Sequence, residues 1–317
     1  MLCTIKITSA MFPELYGAIL GEWNPSLSRE QWQQAFVNRW GCDEDHFGYA
    51  LTDDGRIVGM LGTLFSRRPV AGREQRFCNL HSWHVRPEYR ASSLALMKPV
   101  LDLKDHTLTD FTASAAVIAI AKRLGFKSLN SSVFVLPPIP AKARSPKAVI
   151  REMVGPEDAE AAHLDAADRQ IYQDHQDVDC GHMVARVGES SCYVVYSRIA
   201  QHRLPYCLVH YINNKTLFVD QQAAIRAHLL HHSRSQFAVV DARLLDGFHL
   251  PLTFRASSRE QLYRTTDVAA NEIDTLYSEI VLFKHSPLPT LRQRLSTTVK
   301  RYIAPAVRRY VGINLSL

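Results

Sequence analysis

The chain has 317 residues, of which 46% are hydrophobic and 21% are charged, and it carries a formal net charge of +6. This length and apolar content suffice for two domains with well-developed cores. The modest positive charge suits an anionic small ligand, but the basic motifs with interleaved aromatic residues that are typical of nucleic-acid binders are missing, so we expect no nucleic-acid partner.

The amino-terminal end predicts neither a signal peptide nor a membrane anchor. Residues 1–9 alternate as a short strand does, and Met1–Lys6 contain no hydrophobic signal region. No apolar run approaches the roughly 20 residues that span a bilayer. The six cysteines form no C-x-x-C pair, which favours free thiols in a reducing compartment. The sequence therefore predicts a cytoplasmic protein.

Strands and helices alternate in the predictions for residues 1–136. Asp53–Gly55 lies between two apolar runs and predicts a hairpin, because glycine adopts the positive φ that a tight turn requires. The other expected elements are helices over 11–23, 29–39, 92–103 (interrupted by Pro99) and 114–124 (capped by Gly125), and strands over 76–85, 109–112 and 133–136.

Residues 137–146 predict an extended linker, because four of these ten residues are prolines. Beyond it, residues 147–285 repeat the order of elements without repeating the sequence. We expect strands over 149–153, 191–199, 206–213, 216–220 and 237–242, helices over 156–173 and 221–232, and the start of a last strand near 276. The predicted fold class is α/β, with mixed (α+β) sheets in two similar domains.

Residues 286–317 predict a basic amphipathic tail, interrupted by Pro305. Two interpretations remain open. Such a segment packs on its own domain or on a partner subunit, as in a homodimer, or it lies on an anionic membrane surface. Its apolar positions are Leu291, Leu295, Val299, Tyr302, Ile303 and Val307, and its basic positions are Arg292, Arg294, Lys300, Arg301, Arg308 and Arg309.

The most informative stretch runs from Trp83 to Leu96. It predicts a strand that passes through a proline turn into a helix start rich in small and hydroxyl residues. Backbone N–H groups at a helix start have no partner inside the helix and attract phosphate, and Arg90 adds a positive charge. The pattern indicates a site for a phosphate-containing ligand. The alternative is an ordinary strand–helix connection capped by serine.

This stretch resembles the acyl-CoA-binding motif of the GCN5-related N-acetyltransferases, Arg/Gln-x-x-Gly-x-Gly/Ala. Arg90 and Ala95 match it, and Ser93 replaces the first glycine. Residues 119–126 resemble that family's late helix end. The resemblance covers 1–136 and implies the acetyltransferase fold, with 147–285 as a second copy. At Phe218–Ile225, the expected counterpart of the motif, the arginine and the small-residue loop are missing.

The resemblance implies an N-acyltransferase that uses acetyl-CoA or a longer acyl-CoA and acts on the amine of a small metabolite, amino acid or sugar. A looser resemblance, from the serine-rich loop and the residues near 276, is to acyltransferases of bacterial polysaccharide synthesis. The residues expected to bind the acyl-CoA are Trp83, Val85, Arg90, Ala91, Ser92, Ser93, Leu94 and Ala95.

The residues that usually serve as catalytic acid and base in the resembled family are absent from their positions in this sequence. Ala121 stands where the family often has a Tyr that acts as general acid, and Asn79 stands near the position of the Glu that often acts as general base. The candidates for the base are then His81 and His84, which we expect on opposite faces because strand side chains alternate. The rival interpretation is an inactive acyl-CoA sensor or scaffold.

No metal site is predicted. His228 and His232 lie one helical turn apart, but zinc needs at least one more protein ligand. The nearest candidates along the chain, Asp246 and His249, have no supporting spacing. A solvated helix face is the preferred interpretation.

Overall fold

The structure, a computed structural model, describes residues 1–138, 147–201 and 204–289. Most of the predicted linker and of the predicted tail therefore lie outside the described residues. None of the described helices combines the length and apolar character needed to cross a bilayer.

Fourteen strands are described. They are β1 (Leu2–Lys6), β2 (Gly48–Asp53), β3 (Arg56–Val70), β4 (Arg73–Val85), β5 (His106–Asp110), β6 (Lys127–Ser128), β7 (Ser132–Leu136), β8 (Val149–Glu152), β9 (Gly181–Val187), β10 (Ser190–Gln201), β11 (Leu204–Ile212), β12 (Ala238–Asp241), β13 (Phe254–Ser257) and β14 (Leu262–Arg264).

The helices pack against the faces of the sheets. They are α1 (Phe12–Leu15), which continues through a π-turn into α2 (Gly21–Trp23), then α3 (Arg29–Gln33), α4 (Lys98–Leu101), α5 (Ala115–Arg123), α6 (Pro156–Ala161), α7 (Ala166–His175), α8 (Lys215–Asp220), α9 (Gln222–His232) and α10 (Glu279–Leu282). Short 3-10 segments cover Ser9–Met11, Gln34–Phe36, Pro87–Leu96, Ala242–Leu245 and Ala270–Glu272.

The strands form two mixed sheets of seven with matching orders, β1-β2-β3-β4-β5-β14-β6 and β8-β9-β10-β11-β12-β7-β13. Each contains one parallel pair, β4 with β5 and β11 with β12, and its other pairs are antiparallel. This order confirms the predicted α/β fold with a repeated architecture.

The sheets exchange one strand in each direction. The sixth strand of the first sheet is β14, from the second half of the chain, and the sixth strand of the second sheet is β7, from the first half. Leu262 of β14 is fully buried in the first sheet, where it pairs with Asp110. The predicted strand over 133–136 therefore exists but belongs to the other sheet. The domain boundaries proposed from the sequence remain predictions.

A shared core joins the two halves. One hydrophobic cluster contains Trp32 and Leu64 of the first half with Tyr193 and Phe283 of the second. Ion pairs also join the halves. Buried Arg68 pairs with Asp274, at 2.7 Å from one guanidinium nitrogen to each carboxylate oxygen, and Lys122 pairs with Glu260 at 2.6 Å. Loss of Asp274 would leave the buried charge of Arg68 without compensation.

Four predicted elements differ clearly from the structure. The helix expected over 156–173 is divided into α6 and α7, with residues 162–165 between them. The helix expected over 92–103 is the 3-10 segment Pro87–Leu96 followed by the single turn α4, because Pro99 cannot donate within a longer helix. The strand expected over 216–220 is α8, whose start is fixed by Asn214 accepting the N–H of Leu217 at 3.0 Å. The strand start expected near 276 leads instead into α10.

Candidate acyl-CoA cleft

A fork opens in the first sheet where β4 and β5 separate. These strands pair only over Arg76–Asn79 with His106–Thr109, after which β5 ends at Asp110 and β4 continues to Val85. Beyond the fork lies a cleft of about 260 Å³, lined by Trp83, His84, Val85, Arg90, Ser93, Ser114, Ala116, Val117 and Ile120. Parallel strands that part in this way expose unpaired backbone groups on both sides of the gap.

Five of the predicted site residues line this cleft: Trp83, His84, Val85, Arg90 and Ser93. The other predicted cofactor contacts lie in the same 3-10 segment without lining the cleft: Ala91, Ala95 and Leu94 are exposed, and Ser92 is half-buried. Only some residues of the predicted motif therefore face the cleft.

The amino-terminal part of the 3-10 segment is anchored by hydrogen bonds. Arg86 donates its backbone N–H to Val58 at 2.9 Å and its guanidinium to the carbonyl of Ala18 at 3.2 Å. Tyr89 donates its hydroxyl to Asp53, in the turn of the predicted hairpin, at 2.9 Å. These contacts fix the segment that carries Arg90 relative to the sheet, which preorganises one wall of the cleft.

A β-bulge at Ser82 changes the faces of β4. Gly62 pairs with His81 and Met60 with His84, so β4 has one residue more than β3 in this interval, and Ser82 has a φ of +54°. The ring of His81 contacts Phe283, and the ring of His84 contacts Trp23. Trp32 contacts both of these partner rings, so the two histidines lie on the same side of the sheet. The expectation that His81 and His84 lie on opposite faces is therefore wrong.

His81 is enclosed. Its Nδ1 is hydrogen-bonded to the hydroxyl of Ser82 at 2.9 Å, and its Nε2 is buried without a hydrogen-bond partner among the described residues. The ring covers Gly62, where a Cβ atom would lie 2.3 Å from it, so this glycine makes room for the imidazole. Burial, reinforced by His285, lowers the pKa of His81 to about 3. His81 is thus a neutral and weakly basic group.

His84 is half-buried and lines the cleft. Burial lowers its pKa, and the positive charges of Arg90 and Arg86 act in the same direction. The imidazole is therefore neutral at physiological pH and can accept a proton. Its ring centroid lies 5.6 Å from that of Trp23, which is partly exposed. Of the two predicted histidines, His84 is the one placed to meet a ligand.

The fork also holds a buried carboxyl pair that the sequence analysis missed. Glu279, the first residue of α10, accepts the N–H of Phe111 at 3.1 Å and the hydroxyl of Thr112 at 3.0 Å. Its own N–H donates to Asn79 at 3.0 Å. Burial raises the pKa of Glu279 to about 8, with nearby Asp110 acting in the same direction, and burial raises the pKa of Asp110 to about 7.

This arrangement ties the second half of the chain to the point where β4 and β5 part. Asn79 lies on β4 and also donates to Thr109 on β5 at 3.0 Å, so Glu279 contacts both arms of the fork. A protonated carboxyl can remain buried here at little electrostatic cost. No local pattern around residue 279 signals the role, because its partners are some 170 to 200 residues away.

The opposite wall of the cleft is α5. Ser114 caps it by accepting the N–H of Val117 at 3.4 Å, and Gly125 ends it with a φ of +89°, as predicted. The side chains that α5 contributes to the cleft include Val117 and Ile120, which are apolar. Ala121, the position compared with the family's Tyr, is buried in the core instead. This wall therefore offers no acidic side chain.

The corresponding place in the second sheet is closed. Past its last parallel pair, at Val209, β11 continues only to Ile212 and the chain enters α8 almost at once. Asn213 donates to Asp168 at 2.5 Å and accepts the N–H of Tyr193 at 2.8 Å. The connection that follows β11 begins at residue 213, so Phe218–Ile225, the predicted counterpart of the motif, lies further along the chain, in α8 and α9.

Comparisons with known proteins identify the fold. No protein-family model and no curated protein matches the sequence. A GCN5-related N-acetyltransferase from Anabaena variabilis gives a TM-score of 0.58 at 12% identity, over 85% of this chain and 74% of that one. A probable N-acyltransferase from Enterococcus faecalis gives 0.57 at 13% identity, over 84% and 72%.

A GCN5-related N-acetyltransferase from Kribbella flavida gives a TM-score of 0.54 at 16% identity, over 85% of this chain and 72% of that one. Identities this low concern the fold alone. Together with the two matching sheet orders and the forked parallel pair, they confirm the fold that the resemblance implied. The chain has the tandem fold of the GCN5-related N-acetyltransferases.

Proposed function

We propose that this protein transfers an acyl group from acyl-CoA to the amine of a small molecule, with the donor bound in the cleft beside β4. The observation that carries the proposal is the fork itself. It opens beside the predicted motif, and Arg90 and Ser93 line it together with the unpaired end of β4.

In the proposed complex, Arg90 and the hydroxyl of Ser93 bind the pyrophosphate of CoA, because a guanidinium makes strong charge-assisted hydrogen bonds to phosphate. The backbone of Trp83–Val85, which has no β5 partner, would bind the amide groups of the pantetheine arm as an added strand does. The apolar side chains of Val117 and Ile120 would pack against the arm from α5.

His84 is the proposed general base. It lines the cleft and is neutral, so it can take the proton that the amine loses as it attacks the thioester carbonyl. The C–N bond forms, the C–S bond breaks, and the thiolate of CoA takes up the proton that His84 received, so that CoA leaves as a thiol and His84 is neutral again. His81, whose pKa burial lowers to about 3, takes no part in proton transfer in this scheme.

The acceptor would approach from the side of Trp23, whose indole is 40% exposed beside His84. An aromatic surface there favours an amine that carries an apolar group, since aromatic faces bind such groups and amine cations well. Whether that amine belongs to an amino acid, a sugar or a precursor of a bacterial polysaccharide stays a prediction.

A second candidate function is acyl-CoA sensing without turnover. The specific observation in its favour is the apolar cleft wall of α5, which supplies no acid to protonate the leaving thiolate. A protein of this kind would bind acyl-CoA through the same cleft and report occupancy to a partner.

The two functions are separated by one pair of measurements on the full chain. Calorimetric titration with CoA, acetyl-CoA and a long-chain acyl-CoA measures binding, and thiol release with a panel of amines measures turnover. Binding with turnover supports the transferase, and binding without turnover supports the sensor. No binding of any CoA species contradicts both.

Arg90→Glu tests the cleft directly, with Lys98→Glu as a control that makes the same charge change on the same connection outside the cleft. Because Arg90 is exposed, its replacement should leave the fold intact. We expect CoA affinity to fall by about 10- to 100-fold in Arg90→Glu, the loss of a charged hydrogen bond or two, and to change little in Lys98→Glu. Equal affinities would place the phosphates elsewhere.

A further inference from the structure

A cluster of three metal-ligating side chains lies in the second half of the chain, away from the cleft. Glu152 ends β8, the first strand after the predicted linker, and His228 and His232 lie one turn apart on α9. The two imidazole rings stack with centroids 4.1 Å apart. The sequence suggests only the histidine pair, and the fold supplies the carboxylate from 76 residues away.

We propose that Glu152, His228 and His232 bind a divalent transition-metal ion of the zinc type. One ligand atom from each residue lies within 4.8 Å of the others. The carboxylate oxygen Oε1 of Glu152 is 2.6 Å from Nε2 of His228 and 3.9 Å from Nδ1 of His232. Tetrahedral zinc with bonds of about 2.0–2.1 Å holds its ligand atoms roughly 3.3 Å apart, so small side-chain rotations complete the geometry.

A second layer of contacts already orients the carboxylate. Tyr196 donates its hydroxyl to the same Oε1 atom at 2.9 Å, and the tyrosine ring is itself buried against Gly181. Partners of this kind hold a ligating group in place and increase metal affinity. A cluster of solvated surface residues does not require such a contact.

The donor set defines the class of ion. Two imidazole nitrogens and one carboxylate oxygen suit Zn²⁺, Co²⁺, Ni²⁺ or Cu²⁺, whereas Mg²⁺ and Ca²⁺ prefer oxygen ligands alone. The side chain of His232 is 43% exposed, so an ion can enter from solvent and keep a water as its fourth ligand. Binding would link the edge strand β8 to α9 and stabilise the second sheet.

The test uses the untagged full chain, stripped with a chelator and titrated with ZnCl₂ by calorimetry. We expect saturable binding of one ion per chain, a rise in Tm with zinc concentration, and tetrahedral visible absorption when Co²⁺ is used. Glu152→Gln and His228→Ala should each weaken zinc binding more than about tenfold, and Tyr196→Phe by about tenfold.

His231→Ala is the matched control, because His231 is an exposed histidine on the same helix outside the cluster. It should bind zinc as the parent does. Absence of saturable binding by the parent chain would overturn the proposal, as would equal losses in His231→Ala and His228→Ala. The far-UV circular dichroism and Tm of each metal-free variant show whether it is folded, and CoA affinity reports the first half independently.

Discussion

The two sheets differ most where their parallel strands part. In the first, β4 runs on past Asn79 and leaves an open cleft, while in the second, β11 ends soon after Val209 and the chain turns into α8. Both strands carry a bulge just beyond the parallel pair, at Ser82 and at His210. The same architecture therefore supports an open cleft in the first half of the chain, the open copy, and a closed contact in the second half, the closed copy.

The difference lies in what the histidines at or beyond each bulge contact. His84 lines the cleft, whereas His210 is fully buried with its Nε2 2.8 Å from the hydroxyl of Ser197. Burial lowers the pKa of His210 to about 3. The first sheet has a ligand-sized gap beyond its parallel pair, whereas the corresponding part of the second sheet is occupied by hydrogen bonds and core packing.

The largest expected effect comes from separating the copies. Because β7 and β14 are exchanged between the sheets, fragments 1–146 and 147–317 each lack a strand that their sheet needs. We expect neither fragment alone to unfold cooperatively, and the two expressed together to regain a cooperative transition, as measured by circular dichroism. A stable, CoA-binding fragment 1–146 would show that the open copy is independent of the closed one.

The next effect concerns the histidines of the two copies. His84→Gln should lower kcat about 10²- to 10⁴-fold while CoA affinity stays nearly constant, because the variant lacks the proposed base. Since the pKa of His84 lies below its usual 6.5, activity of the parent should be constant at neutral pH and fall as the pH drops through that pKa. Rates of thiol release measured across this pH range give both the kcat of each protein and its dependence on pH.

His210→Gln is the comparison variant in the second sheet, where the histidine is buried instead of lining a cleft. It should lower the Tm, because a buried hydrogen bond to Ser197 is disturbed, and leave the pH profile of thiol release unchanged. A variant of His84 with parental kcat would instead show that the base lies elsewhere in the cleft.

Sequence patterns predicted the open copy well because its signals are local. The Asp-Gly turn, the cap at Gly125 and the motif from Trp83 to Ala95 each depend on neighbouring residues. Periodicity cannot reveal a one-residue bulge, so it placed His81 and His84 on opposite faces. The strand exchange and the contact of Glu279 with Asn79 depend on tertiary packing between distant segments, which no local pattern encodes.

Substitutions of Glu279 test how far the fork between β4 and β5 depends on the second half of the chain. Glu279→Ala leaves the N–H of Phe111 without an acceptor and creates a cavity, so the free energy of unfolding should fall by roughly 2–4 kcal/mol. Glu279→Gln keeps a carbonyl acceptor and should cost about 1 kcal/mol at pH 6, where the parent carboxyl is itself protonated. Denaturant titrations give both values.

The pH dependence of Glu279→Gln provides the control. The pKa of Glu279 is raised from 4.5 to about 8 in the folded chain, so the unfolded chain loses its proton first. The free energy of unfolding of the parent should therefore decrease as the pH rises between these values, and level off above them. The variant should lack this contribution and keep those of the other buried groups, among them Asp110, whose contribution ends near pH 7. Parallel curves for both proteins would mean that Glu279 is ionised in the fold.

The smallest expected effect is at Lys215, which follows β11 where the 3-10 segment with Arg90 follows β4. If only the open copy binds the donor, calorimetry should give one CoA per chain, and Lys215→Glu should change the affinity by less than about twofold, as an isolated surface charge does. The side-chain amides of Asn213 and Asn214 already donate to Asp168 and to the carbonyl of Ser191, so they are not available to a pyrophosphate there. Two CoA molecules per chain, with one lost in Lys215→Glu, would mean that both copies bind the donor.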